Sequence, residues 1–410
     1  MKSIYSLALC FMALSTIICA RTLEDVRAGS KFGGIRGTVT AQIKTDNLPE
    51  YKASAADQTA FLAVCKTVAS VFARHPLMAA PRGFNAYNTV MIPSLEYSSA
   101  VLATNGMPLI ADCSLTMRDF GDDGKGGYHE SISTSAGVVV HINSLMLVFS
   151  GMHIYNEGAG DDLFYQPKKT GTFNGHPRYH DVDSMIVLNA SKKPLWLPVS
   201  AEEFITVHIR RTEAERDKTL AGMKGPLSPK EIVDSGKAER EKAFTEAYLM
   251  LKKTNPKEAE QAKKEFNEAE KQFAKEAASH KESGDDIRAQ NQKIYDDRIA
   301  ALKRELTALS ALQRKAQAVF VGESDEHPSG LGSPTDENAR HIVRVNRDYF
   351  NDGLPRSAVR LLIITFSING GYADTSAFDT EQEDHTLEDF IAADLAATLD
   401  WKKIFSVAGI

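Results

Sequence analysis

The hydrophobic period of this chain changes twice, and that change limits the fold more than any single residue does. From Thr89 to Asn189 the apolar residues come in strand-length runs: TVMIP, SAVLATNGMPLIADCSLTM, SAGVVVHINSLMLVFSG and SMIVLN. After Pro198 they recur three and four apart in a Lys/Glu-rich background, and beyond Gly322 strand-like runs return as HIVRVN and SAVRLLIITFSI. Short continuous or alternating runs suit strands, whereas 4-3-4 spacing lines one face of an α-helix. A chain written this way is expected to be α+β. Its mixed sheet body would be completed by the C-terminal segment, and a coiled-coil-like antiparallel helical hairpin would be inserted in it.

Local signals fill in the elements. Ser54 followed by Asp57 marks a helix start, and Phe61, Cys65, Val68 and Phe72 form its buried stripe up to His75-Pro76. Asn105-Gly106 reads as a hairpin turn, since both residues tolerate positive φ. Val138 to Phe149 is nearly all apolar and suits a central strand covered on both faces. His141 within that run reads as a core or edge histidine with a hydrogen-bond partner. Ser200 with Glu203, Ser228-Pro229 with Glu231, and Asn255-Pro256 are three further helix starts. Two stripes follow, Ala262, Phe266, Ala269, Phe273 and then Tyr295, Ile299, Leu302, Leu306, Leu309, separated by the ESGDD segment at 282–286. Read as a turn, ESGDD makes the stripes the two arms of the hairpin, with their Lys/Glu faces solvated. Trp196 is expected to anchor the following helix onto the sheet. A last helix starts near Thr386 and carries Leu387, Phe390, Ile391, Leu395 and Leu399.

The C-terminal segment offers two strands and one helix, and stable sheets generally need three or more strands. It is therefore expected to join the N-terminal sheet. The organisation expected is a signal segment at 1–20, a body at 21–212, the charged hairpin insertion at 213–320, and the closing strands and helix at 321–410.

Residues 1–20 combine Lys2, an apolar stretch from Ile4 to Ile18, and the small Ala20 before polar residues. That is a secretory signal pattern, so the protein is expected to be exported to a periplasm or the exterior. Lipoprotein anchoring through Cys19 is the minor alternative, because Ile18 is a poor residue before a lipidated cysteine. Beyond this segment no apolar run reaches membrane-spanning length, so no transmembrane span is expected in the mature chain. A formal charge of −6, from 48 Lys+Arg and 54 Asp+Glu, gives no basic surplus for nucleic acid. Cys65 and Cys113 would then be the cysteines of the mature protein. They read either as a disulfide, adding about 4 kcal/mol by chain entropy, or as two buried thiols packing as small hydrophobes.

Two segments have metal-ligand character. DFGDDGKGGYHE, residues 119–130, places Asp119, Asp123 and Glu130 at positions 1, 5 and 12 of a calcium loop, with Gly124 at the sharp turn. Gly121 stands where a third ligand is expected, and the flanks read as strands rather than helices. His176, His180 and Asp181, with His153 upstream, could supply the three or four convergent donors of a zinc site. Gly175 and Pro177 disfavour the helix that would put both imidazoles on one face, so surface-loop histidines are the default. No nucleophile elbow, S-x-x-K, H-E-x-x-H or phosphate-binding lysine motif occurs.

The reading that results is an exported, non-enzymatic interaction or binding protein with a protein partner docking on the hairpin. No resident cofactor is expected, zinc and calcium being the open options. The alternatives are a metal-dependent hydrolase built on the His/Asp cluster and a calcium or small-ligand binding protein.

Overall fold

The computed structural model describes residues 24, 27–28, 30–95, 107–149, 154, 163–180, 184–191, 193–223, 234, 236–324, 327–351, 353–368, 371–372 and 386–409. Its strands are β1 (Val39–Lys44), β2 (Phe84–Met91), β3 (Ala111–Asp122), β4 (Tyr128–Glu130), β5 (Ala136–Ile142), β6 (Phe164–Tyr165), β7 (Lys169–Phe173), β8 (His176–His180), β9 (Ser184–Asn189), β10 (Trp196–Pro198), β11 (Val319–Phe320), β12 (Arg340–Val345), β13 (Leu361–Ile368) and β14 (Gly371–Tyr372). The helices of eight residues or more are α1 (Ala55–Ala73), α2 (Ala201–Gly222), α3 (Lys237–Thr254), α4 (Pro256–Ala308) and α5 (Leu387–Thr398). The chain divides into two units, residues 1–198 with 342–410, and residues 199–341.

The first unit, the body, is built on a ten-stranded mixed sheet with the path β1-β2-β3-β5-β13-β9-β8-β7. Among the described strands of this sheet, only β1 runs parallel to its neighbour. The C-terminal strand β13 lies at the centre, with Ile364 opposite Val140 of β5 on one side and Ile186 of β9 on the other. Of the two closing strands expected to join this sheet, the one at Leu361–Ile368 completes it, whereas β12 pairs with β6 and β10 in a second, smaller sheet. From Leu361 to Phe366 every side chain of β13 is buried, the pattern of a strand covered on both faces. Helix α1 packs on β2 and β3, and α5 packs on β5 and β13. Ser54 accepts the Asp57 N–H to start α1, and Thr386 and Asp389 form a reciprocal capping box at α5. A short helix at Trp401–Ser406 closes this layer, its indole edge-on to Phe173 at 5.3 Å.

Two expectations in the body need correction. The apolar run after β5 is not one strand. Asn143 takes φ 58°, and a 3-10 turn follows at Leu145–Phe149. The fully buried Asn143 carboxamide accepts from the N–H groups of Arg360 and Leu361 and donates to the carbonyls of Leu109 and Ala358. Four buried backbone groups are satisfied by this one side chain, which therefore specifies the bend. The HPRYH segment is a strand, not a surface loop. Pro177 pairs with Thr172 of β7 and lies just beyond the β8–β9 pairing, which runs from Arg178 to His180, so it takes no place in that ladder. Trp196 packs on Phe149 at 6.2 Å and Tyr179 at 5.6 Å within the body. The Asn105-Gly106 turn lies outside the described residues.

The second unit is mostly helical. α4 runs unbroken for 53 residues, so the antiparallel hairpin expected around ESGDD does not form there. One interior glycine costs about 1 kcal/mol, and the Lys, Glu, Ala and Gln around it are strong helix formers. The change of direction falls at Asn255-Pro256 instead, where Asn255 accepts the Glu258 N–H and proline takes the first helical position. α3 then packs on the first half of α4, with Phe244 stacked on Phe266 at 4.1 Å and Arg240 paired to Glu270 at 2.8 Å. α2 packs on the second half through Arg216–Asp296 at 2.9 Å, Thr219–Tyr295 at 3.2 Å and Lys303–Glu213 at 3.0 Å. The helix starts read at Ser200 and Asn255 are present, whereas Ser228-Pro229 lies outside the described residues. The unit boundaries fall at 198/199 and 341/342, against the 212/213 and 320/321 read from the sequence.

Candidate functional site

In the body, strand pairing brings three polar side chains into one relay. Asp112 on β3 lies opposite His141 on β5, and Thr365 sits on the neighbouring strand β13. Asp112 Oδ1 is 2.7 Å from His141 Nδ1, and His141 Nε2 is 3.1 Å from Thr365 Oγ1. The order carboxylate, imidazole, hydroxyl is that of a nucleophilic triad. Its setting is different. Thr365 is only 2% exposed, in mid-strand, with β5 and β9 paired on either side. Backbone amides spent in that ladder are not available to a developing oxyanion. The relay satisfies three polar groups in a buried sheet, and His141 has the partner its position called for.

The calcium-loop residues take up separate tasks. Asp123 Oδ1 accepts the N–H groups of Lys125 and Gly127 at 2.8 and 2.9 Å, which hold its carboxyl below the usual range and shape the β3–β4 turn. Asp119 accepts from the Ser135 hydroxyl. Glu130, on β4, accepts from Asn85 Nδ2 at 3.0 Å and from the Tyr87 hydroxyl, and Arg118 lies 3.6 Å away. The hydrogen bond to Glu130 pushes the Tyr87 phenol above its ordinary pKa. Strand alternation parts Asp119 from Glu130, which pairs with the neighbouring Phe120, and Asp123 lies beyond the end of β3 in the turn.

Of the expected zinc residues, His153 and Asp181 lie outside the described residues, as does the side chain of His180. His176 stands at the start of β8 with its ring 4.8 Å from that of Phe405. Burial lowers its pKa, and it lines a pocket of about 470 Å³ with Asn174, Asp400, Trp401 and Lys402. Among the described residues no group of three His, Cys, Asp or Glu side chains is placed to hold a metal ion. Cys65 and Cys113 are free, buried and adjacent, the Cys113 thiol donating to the Cys65 carbonyl at 3.9 Å. Hydrogen bonding with Cys65 and burial together raise the Cys113 pKa well above the ordinary thiol value.

The helical unit holds a large concave site. A groove of about 930 Å³ is walled by Ala201 of α2, Ala308 and Leu309 at the end of α4, and Ala318, Val319 and Leu331 of the following segments. Its polar groups are the carboxylates of Glu305 and Asp336, the imidazoles of His327 and His341, and the amides of Gln313 and Gln317. Glu305 is fixed by the Ser329 N–H at 2.9 Å and hydroxyl at 2.7 Å. Asp336 accepts the Ser333 N–H at 2.8 Å through one oxygen. Alanines keep the walls low, and among the described residues no lysine or arginine contributes to the lining. Mixed apolar walls with a few convergent polar groups are the usual makeup of a ligand site.

The groove was not readable in the sequence, because residues around 201, 305–321 and 327–341 supply it together. No family model, curated protein or solved structure matches this chain.

Proposed function

We propose that this is an exported binding protein whose helical unit takes up a small, largely apolar ligand carrying a neutral or cationic polar head. The observation that carries the reading is the 930 Å³ groove, with its alanine-lined walls and with two carboxylates, two histidines and no lysine or arginine among the described residues of its lining. An acidic lining disfavours anions and suits donors such as hydroxyl, amide or ammonium groups. Binding rather than turnover is favoured because Glu305, the most enclosed carboxylate, has both oxygens engaged by Ser329. Export is supported by the signal pattern of residues 1–20.

The test is native mass spectrometry on gently purified mature protein, together with titration of an apolar fluorophore. Wild type should carry a releasable small-molecule adduct or bind the dye stoichiometrically. Ala308→Trp, which fills the groove from the end of α4, should lose that binding while melting as wild type does. Equal binding by the two proteins would contradict the assignment.

A further inference from the structure

The two ends of the ten-stranded sheet are finished differently. β7, at one end, carries a register shift between Lys169 and Gly171, the kind of bulge that blunts an edge. β1, at the other end, is six residues long without proline, bulge or any charge before Lys44. Among the described residues no strand pairs with its outer edge.

The hydrogen-bond phase shows which residues face outward. Thr38 and Lys44 offer their carbonyls to Ala86 and Ile92, next to the parallel pairing with β2. Backbone groups alternate in direction along a strand, so Thr38, Thr40, Gln42 and Lys44 serve β2. Val39, Ala41 and Ile43 point their N–H and C=O groups away from the sheet. The same three residues share one face, and Val39 and Ile43 are 44% and 49% exposed. That edge combines unspent backbone groups with two β-branched apolar side chains.

We propose that two copies of this chain pair antiparallel through β1, joining their sheets across a two-fold axis at Ala41. Outward residues must meet outward residues, and only one register engages all three. It sets Val39 opposite Ile43 of the second copy and Ala41 opposite itself, each pair exchanging both N–H···O bonds. The register follows from backbone phase alone, yet it brings unlike charges together. Continued past the strand ends, that register brings Arg36, which precedes β1, toward Asp46 in the turn after it, and both residues are exposed. Lys44 faces the neutral Thr38, and no like charges are opposed. β-branched cross-strand pairs and opposite charges are the pairings that stabilise a sheet. This self-complementarity of RGTVTAQIKTD, residues 36–46, selects a second copy of this chain over an unrelated partner.

Light scattering with size exclusion on the mature protein tests the pairing. Wild type at about 100 µM should run as a dimer, a concentration that populates any complex with Kd of about 10 µM or tighter. Ala41→Pro removes an outward N–H and leaves the β2 ladder intact, so it should yield a folded monomer. Because a proline can also disturb folding, the exposed flanks give a second test. Arg36→Glu alone, facing Asp46, should weaken the dimer several-fold, and Arg36→Glu with Asp46→Arg should restore it. A monomeric wild type, or a dimer indifferent to Ala41→Pro and to the charge swap, would overturn the proposal.

Discussion

Strand β13 and helix α3 are both long, regular elements, yet every β13 side chain from Leu361 to Phe366 is buried and α3 buries none. The body is a burial-driven structure. Its sheet and helices share a contiguous core reaching from Leu48 to Phe405, and removing apolar surface from water supplies roughly 25 cal/mol per Å². The arm formed by α3 and the first half of α4 has no such reserve. It relies on helix propensity, the Asn255 cap, the Phe244–Phe266 stack and surface pairs such as Arg240–Glu270. Exposed pairs of this kind contribute about 0–1 kcal/mol each. Equal regularity thus conceals unequal stability, and helix length is no measure of anchorage.

The largest effect that would sharpen this contrast is in the body core. Phe72→Ala, at a fully buried position on α1, should cost about 4 kcal/mol in denaturant unfolding of the body. A cost near that of a surface change would break the burial account.

Next is a pH effect confined to the helical unit. His208, on α2, has its pKa lowered to about 4 by burial and by the positive charges of Arg298 and Arg211. Its Nε2 is 3.2 Å from Arg298, which also donates to Glu323. The native imidazole stays neutral while the unfolded one protonates near its ordinary 6.5. The unfolded state therefore binds more protons between these values, and stability falls as pH drops from 6.5 toward 4. At 1.36 kcal/mol per pH unit, the loss is about 3 kcal/mol. Thermal melts of wild type and His208→Gln should diverge over that window, with the variant flat.

A smaller change is expected in the arm. Phe266→Ala should cost about 1 kcal/mol through the lost stack, seen as reduced helical circular dichroism without a shift in the body transition. The smallest effect on the body should come from the most drastic edit. Replacing residues 224–290 by a short Gly/Ser loop, which keeps α2 against the second half of α4, should leave the body's melting midpoint unchanged. A body that no longer melts cooperatively would show that the two regions are one folding unit.

Much of the fold could be read from the sequence because its signals are local. Ser54, Ser200, Asn255 and Thr386 act as helix caps through their own side chains, and the stripe Phe61, Cys65, Val68, Phe72 faces the core as its spacing requires. What escaped was decided at a distance or by continuity. ESGDD looks like a turn in isolation, but the flanking stripes are nearly in helical phase across it. Asn143 ends β5 by serving four backbone groups from distant segments. β1 was missed although Val39, Ala41 and Ile43 alternate with polar residues, because a six-residue alternation with no buried face is a weak strand signal. The groove residues lie on segments that no spacing rule connects.

Hydrogen exchange with mass spectrometry on the full-length chain measures the central contrast most directly. The amides of β3, β5 and β13 should exchange only through global unfolding, while those of α3 and of α4 up to about residue 276 should exchange through local opening at far lower free energy. Protection of α3 equal to that of β13 would contradict the account.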